Sequence, residues 1–362
     1  MPKCLLLFNG GIDSITAAKF LQMNEQDVIL LNFESKFFGG ESERIKQISR
    51  QLKLPVLIVD ITQQQVALTA NPVKQYGSGA NPCVDCRANM LQVAYQLMPK
   101  YGCDYIATGD VLKQHLISQS IEAFAQAQKM AGIPDIVLRP LCGKLLPENI
   151  VTQKYISRNT LLSYQGQSHK DQETFMRTNR IAIKTPLKSC QLLDHFYSKK
   201  LICLKQDGLL HSKLQFLQDM VSFGRLFRFG YRQLLVLYRK HECAQFKQMN
   251  LQNVFTIENE ENESQQTLVA AVDLQQLEIE AEKPMKYEYD IEEVKLSKCT
   301  KLGQKTNQIQ IPKTDLNEML QDFVFTVFGS YSKLKKGVVG DKTVCFETKE
   351  DAAEIIEQKM IK

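Results

Sequence analysis

Along its first 140 positions the chain carries its apolar residues in short continuous runs. These are KCLLLF (3–8), VILLNFE (28–34), PVLIVD (55–60), DYIATGD (104–110) and DIVLRPL (135–141). A run that does not alternate with polar residues is buried on both faces, which is the mark of a parallel strand covered by helices above and below. Between the runs the apolar positions shift to helical spacing. Residues 13–23, opened by Asp13, place Ile15, Ala18 and Leu21 on one face, and 41–52 and 87–98 behave alike. This alternation predicts an α/β fold with a doubly wound parallel sheet, which binds ligands at the carboxyl ends of its strands.

Later segments read differently. Residues 67–82 form a polar loop bearing Gly, Asn and Pro, and 153–180 predicts a polar helix. After about residue 201 comes a basic, aromatic-bearing run, FGRLFRFGYRQLLVLYRK (223–240), then a Gln/Glu-rich stretch at 258–283. FVFTVFGSY (323–331) predicts a strand and DAAEIIEQKMI (351–361) a closing helix. The expected organisation is a nucleotide-type domain over 1–200, a basic module over 201–285, and a small C-terminal α+β unit over 286–362.

Composition narrows the class. At 44% hydrophobic and 23% charged over 362 residues, the chain suits a soluble protein of two or three domains. No apolar run reaches the roughly 18 residues that span a bilayer. A cytoplasmic protein without membrane association is therefore expected. Ten cysteines with one close pair, Cys83 and Cys86, suit a reducing compartment and point to free thiols, metal ligands or redox chemistry. The net charge of +5 says little, but twelve Lys/Arg stand against four acids between Lys184 and Lys247. Such a segment is either a phosphate-binding face or a solvated helix surface.

The first strand runs into FNGGIDS (8–14) and then a helix. Adjacent glycines allow positive φ values and close approach, so several backbone N–H groups converge at a helix N-terminus and form an anion nest. Ser14 can donate to a phosphate oxygen; Asp13 can cap the helix or help place Mg²⁺. Neither GKS/GKT nor GxGxxG follows, which removes the P-loop and the dinucleotide fingerprint. A tight strand–helix turn with an Asp cap is the plain alternative. NPCVDC (81–86) sets two thiols three residues apart, suited to zinc, an iron–sulfur centre or a redox pair. Cys190, in TPLKSC, is a third thiol in a loop before a helical pattern, and three thiolates leave one position of a tetrahedral centre open. Cys4, Cys103, Cys142, Cys203, Cys243, Cys299 and Cys345 read as core or surface residues.

NGGIDS resembles the pyrophosphate loop SGGxDS of the ATP pyrophosphatases, with Asn9 standing where the motif has serine. Together with NPCxxC, ATGD (107–110), RPLCGKLLP (139–147) and the later single cysteine, the ordered set resembles the tRNA thiolation branch of that HUP-like, Rossmann-like superfamily. These are relatives of the tRNA 4-thiouridine synthase and 2-thiouridylase. The resemblance covers residues 1–200; GRLFRF and LVLYRK weakly resemble the C-terminal RNA-binding module of a stand-alone bacterial form. It implies an ATP-dependent tRNA sulfurtransferase that adenylates a uridine carbonyl and exchanges its oxygen for sulfur. By that resemblance Asn9, Gly10, Gly11, Asp13 and Ser14 hold pyrophosphate, and Thr108, Gly109 and Asp110 line the nucleotide crevice. Arg139 and Lys144 face phosphates or RNA. Cys83, Cys86 and Cys190 hold a 4Fe–4S cluster, with zinc as the alternative occupant, or act as a persulfide pair. Asp13 and the three cysteines are the catalytic set. ATP and Mg²⁺ are the implied cofactors. The implied partners are tRNA and a sulfur donor, either sulfide or a persulfide carrier such as a cysteine desulfurase.

The turn begins at residue 9, so tRNA is expected to meet the basic run, including Lys199, Lys200, Arg225, Arg228, Arg232, Arg239 and Lys240. Phe227, Phe229 and Tyr231 interleave with it as stacking candidates. Two other readings remain: an ATP pyrophosphatase acting on a small molecule, of the deazaguanine synthase kind, and a non-catalytic nucleotide- and RNA-binding relative. The first usually carries four cysteines near the C-terminus, a pattern missing here.

Overall fold

The computed structural model describes residues 1–115, 117–182 and 189–206, together with strands at 225–229, 232–237, 254–257, 269–273, 291–294, 336–339 and 342–345. The N-terminal half alternates β1 (Lys3–Leu7), α1 (Ile12–Met23), β2 (Asp27–Glu34), α2 (Ser42–Leu52), β3 (Val56–Asp60), α3 (Thr62–Ala70), α4 (Cys83–Tyr101), β4 (Tyr105–Thr108), α5 (Ile121–Ala131) and β5 (Val137–Leu138). Two shorter helices, α6 (Ile150–Lys154) and α7 (Lys170–Thr178), and then α8 (His195–Gln206) follow. The remaining strands are β6 (Arg225–Phe229), β7 (Arg232–Leu237), β8 (Val254–Ile257), β9 (Val269–Asp273), β10 (Ile291–Val294), β11 (Lys336–Val339) and β12 (Lys342–Cys345).

The first sheet runs β10-β3-β2-β1-β4-β5, with all neighbours parallel except β10, which pairs antiparallel with β3. Successive side chains of β1 serve two cores. Cys4 and Leu6 pack with Ile15, Ala18 and Leu21 of α1 and with Ile45 and Ile48 of α2. Leu5 packs on the opposite face with Leu91, Val93 and Leu97 of α4 and with Ala127 of α5. The period of two places each face under its own helical layer, which is why the runs are apolar throughout. The expected α/β parallel sheet is thus the observed one. Strand order reverses between β1 and β4, and ligands of such sheets bind at the crevice there.

Several local expectations change. Helix α4 begins at Cys83, ahead of the expected residue 87, because Pro82 precedes the helical turn and Asp85 sits in its first turn. The strand expected over 135–141 shrinks to Val137–Leu138. Arg139 turns inward to a carboxylate and Pro140 offers no N–H to extend the ladder. Residues 153–180 are not one helix. Gly166, at φ +88°, lies between α6 and α7 in a conformation that side-chain-bearing residues rarely adopt. Helix α5 was not expected at all; Ser120 caps it by accepting from Ala123 N–H at 3.1 Å, and Gly132 closes it. The Gln/Glu-rich stretch 258–283 contains β9.

The chain divides into two compact units, Met1–Leu193 with Lys286–Lys301, and Asp194–Met285 with Leu302–Lys362. The division therefore places β10 with the first unit, whereas the sequence grouped it with the C-terminal residues. The second unit holds a four-stranded antiparallel sheet, β6-β7-β9-β8, and the hairpin β11-β12. The strand expected at 323–331 and the helix expected at 351–361 lie outside the described residues, as do Lys184, Tyr231, Arg239 and Lys240. No helix among the described residues is long and apolar enough to cross a membrane.

Candidate active site

The turn after β1 is a built feature. Gly10 adopts φ +76°, and Gly11 forms the N-cap of α1 without any side-chain cap. Asn9 is exposed, but its Oδ1 accepts from Gly11 N–H and from Ser14 Oγ, both at 2.9 Å. This is an Asx turn, in which a side-chain carbonyl imitates a backbone acceptor and braces the glycines. Asn9 thus braces the turn with a longer arm than serine has. Asn9→Ala is expected to destabilise the protein by about 1 kcal/mol, the usual cost of losing a capping side chain. Asn9→Ser, which can form the same turn more weakly, is expected to retain nucleotide binding. Melting curves and ATP titration check both.

The loop after β4 packs directly on this turn. A Cβ built on Gly109 would stand 2.8 Å from the backbone nitrogen of Ser14 and 2.9 Å from its Cα. Only glycine permits that approach, so Asn9–Ser14 and Thr108–Asp110 meet at the point where strand order reverses. Gly109→Ala is expected to lower the melting temperature, because the obstacle is backbone and the turn itself must move. Melting curves measure this.

Asp110 is buried and is the hub of a charged cluster. Its carboxylate pairs with Arg87 of α4 and lies 3.5 Å from Arg139 Nε; it also accepts from Thr108 Oγ1 at 2.8 Å and Gln119 Nε2 at 3.3 Å. Burial pushes its carboxyl up, but the Arg87 and Arg139 guanidiniums outweigh this and hold it below the usual carboxylate range. Arg139, itself buried, lies 4.1 Å over the Phe124 ring. The structure therefore sets Arg139 inside the protein beside Asp110. Lys144 is exposed on a single helical turn, Gly143–Leu145, whose Lys144 carbonyl accepts from Arg158 Nη2 at 2.8 Å.

The three cysteines converge from distant segments. Cys83 and Cys86 begin α4, and Cys190 sits in a loop fixed by Gln191 N–H to the Phe37 carbonyl at 2.8 Å. Burial pushes up the Cys86 thiol, and the neighbouring Cys190 and Cys83 add to the rise. Burial likewise raises Cys190, to about 11, with Cys83 contributing. Each thiol thus lies within electrostatic range of the other two. Asn81 Nδ2 donates to Cys83 Sγ at 3.0 Å, and Gly77 leaves room for that amide. No group of three His, Cys, Asp or Glu among the described residues is arranged to hold a single metal ion. Arg87 follows Cys86 in sequence and pairs with Asp110, so one residue links the thiols to the nucleotide-type crevice.

Sequence reasoning missed several side chains. Asp85, within NPCVDC, is buried and accepts from Val73 N–H at 2.7 Å and from Lys74 N–H, which fixes the preceding loop. Gln114 and Gln172 both donate to Asp13, and His169 lies 3.7 Å from the same carboxylate. Nothing in the local sequence marks these glutamines. The Arg87–Asp110 pair carries a signal in the sequence, since Asp110 closes ATGD and Arg87 directly follows the second thiol.

Residues 2–158 match the family model described as thiamine biosynthesis protein (ThiI). A curated relative, the tRNA-specific 2-thiouridylase MnmA of Desulfosudis oleivorans, is 29% identical over 116 residues, covering 30% of this chain and 32% of its own. The chain therefore spans about a third of that relative's length. Among solved structures, a 4-thiouridine synthetase–RNA complex with bound ATP is similar at 19% identity and TM-score 0.34, over 61% of this chain and 53% of its own. A predicted subunit of tRNA methyltransferase from Methanocaldococcus jannaschii is similar at 14% identity and TM-score 0.35, over 57% and 89%. The resemblance to the tRNA thiolation branch of the ATP pyrophosphatases, read from the motifs, is borne out: residues 2–158 are similar to the ThiI family.

Proposed function

We propose that the chain is an ATP-dependent tRNA sulfurtransferase. The observation that carries this reading is the meeting of Asn9–Ser14 with Thr108–Asp110, where Arg87, directly after Cys86, pairs with Asp110 and Cys190 lies within electrostatic range of Cys83 and Cys86. A phosphate nest alone suits many enzymes. A nest joined to three clustered thiols suits a reaction that uses ATP and then sulfur.

ATP would place its phosphates at the N-terminus of α1, on the N–H groups of Gly10 and of Ile12 to Ser14, because Gly11 N–H is taken by Asn9 Oδ1. A uridine carbonyl oxygen attacks the α-phosphorus, and pyrophosphate leaves with the bond's electron pair. Asp13 would help hold Mg²⁺ beside the phosphates, and the ion would supply positive charge against that leaving group. Sulfur then adds to the activated ring carbon, and AMP departs with the former carbonyl oxygen. A sulfide donor balances this step without any redox change. A persulfide donor balances it only when a second thiol closes a disulfide on the donor sulfur, and two of the three cysteines supply that pair.

The site suits soft, sulfur-rich ligation. A soft metal centre would take these sulfurs as thiolates. Zinc, the alternative occupant, would be held by the same three thiolates with one position open. A 4Fe–4S cluster spreads its irons over a larger volume; bound by Cys83, Cys86 and Cys190, it would supply one open iron for incoming sulfide. For tRNA, Lys199 and Lys200 of α8 and the exposed Phe196, 71% accessible, offer charge and a stacking face.

Purified protein incubated with ATP, Mg²⁺, sulfide and tRNA from cells lacking the gene tests the reading. The expected result is pyrophosphate and AMP release that requires tRNA, with sulfur entering the RNA. Release driven by a small carboxylate in place of tRNA would identify a small-molecule enzyme instead.

A further inference from the structure

Asp13 is held by an unusual pair of partners. Gln114, from the loop after β4, donates Nε2 to Asp13 Oδ2 at 2.7 Å, and Gln172, from α7, donates Nε2 to Oδ1 at 2.8 Å. The donors come from 101 and 159 residues away along the chain. Both glutamines are more than nine-tenths buried, at 8% and 1% exposure. Their orientation is fixed by chemistry, because a carboxylate only accepts and so must face the amide nitrogens. Each amide carbonyl, Gln114 Oε1 and Gln172 Oε1, is then left buried with no hydrogen-bond partner. His169 flanks the pair, its Nδ1 3.4 Å from Gln114 Nε2.

An arrangement selected for stability alone would satisfy those carbonyls or replace the amides by apolar groups. A lysine or arginine in either place would orient the carboxylate but also neutralise it. Two neutral donors orient it and leave its charge available. Asp13 does not cap α1, whose N-cap has no side-chain partner, so its direction is set by this clamp.

We propose that Gln114 and Gln172 are positioning residues for the nucleotide step, which aim an anionic Asp13 at the phosphate turn. The proposal rests on the reading that ATP occupies that turn.

The test uses the full chain and tRNA from cells lacking the gene, with Gln114→Met and Gln172→Met, which keep side-chain volume and remove the amide. Gln172→Asn withdraws the amide by one methylene while keeping a polar group, and serves if a Met variant fails to fold. Each is expected to lower kcat for tRNA-dependent pyrophosphate release by about 10- to 100-fold, the scale of a misplaced group of about 1 Å. KM for ATP should stay within about twofold, since ground-state binding is untouched. Melting temperature should change little, since the orphaned carbonyl is lost together with the hydrogen bond to Asp13. Asp13→Asn runs alongside as the comparator. Wild-type kcat in the glutamine variants with an inactive Asp13→Asn would overturn the clamp and leave the ATP reading standing. A fully active Asp13→Asn would overturn both. A fall in melting temperature that fully accounts for lost activity would make the glutamines merely structural and also overturn the clamp.

Discussion

Asp110→Asn is expected to destabilise the first unit by about 3–5 kcal/mol, because it leaves Arg87 and Arg139 buried without their carboxylate. The loss corresponds to a fall of about 10 °C in melting temperature for a unit of this size. Replacing a buried pair by apolar groups is far cheaper than breaking it, so adding Arg139→Met should recover part of the loss. The pH dependence has a definite sign. The carboxyl of Asp110 is held below its unfolded value, so its contribution is present at neutral pH and is lost as pH falls below about 4. The wild type should therefore lose stability more steeply than Asp110→Asn across that acid range. A variant melting within about 2 °C of wild type would contradict the ion cluster.

Cys190→Ala is expected to stop sulfur transfer, by roughly 10³-fold or more, while ATP binding and adenylation persist. Its thiol stands with Cys83 and Cys86 but belongs to a separate loop, pinned through Gln191 to Phe37. Removing it leaves the turn, Gly109 and Asp110 untouched. Residues acting as one unit are not additive in their effects, so the triple change at Cys83, Cys86 and Cys190 should be no worse than Cys190→Ala alone. Pyrophosphate release measured beside sulfur incorporation separates the two half-reactions. Equal losses in both would mean that Cys190 holds the fold together and does not handle sulfur.

The strands β1 to β4 were legible because burial on both faces leaves uninterrupted apolar runs, and α1 and α2 were legible by their helical spacing. The motif residues at strand ends were legible too, since glycines and thiols are scarce and their chemistry is specific. What was not legible depends on the third dimension. Arg139 was assigned to phosphates or RNA only through the motif resemblance; its packing on Phe124 and its approach to Asp110 are visible only in the structure. Gln114 and Gln172 were invisible because glutamine is an ordinary surface residue, and their meaning lies in reaching Asp13 from two remote segments. VAAVD at 269–273 was hidden by its Gln/Glu-rich surroundings, although its own five residues form a strand between two partners. Asn9, the one departure from the family's loop, is explained by two hydrogen bonds that no sequence pattern displays.

The central claim is that this chain puts sulfur into tRNA using ATP and three clustered thiols. Mass spectrometry of tRNA nucleosides tests it most directly, in cells lacking the gene and in the same cells supplied with wild type or Cys190→Ala. The account predicts that one thiolated uridine disappears without the gene, returns with wild type, and stays absent with Cys190→Ala. If every thiolated nucleoside were unchanged across all of these cells, the claim would be wrong.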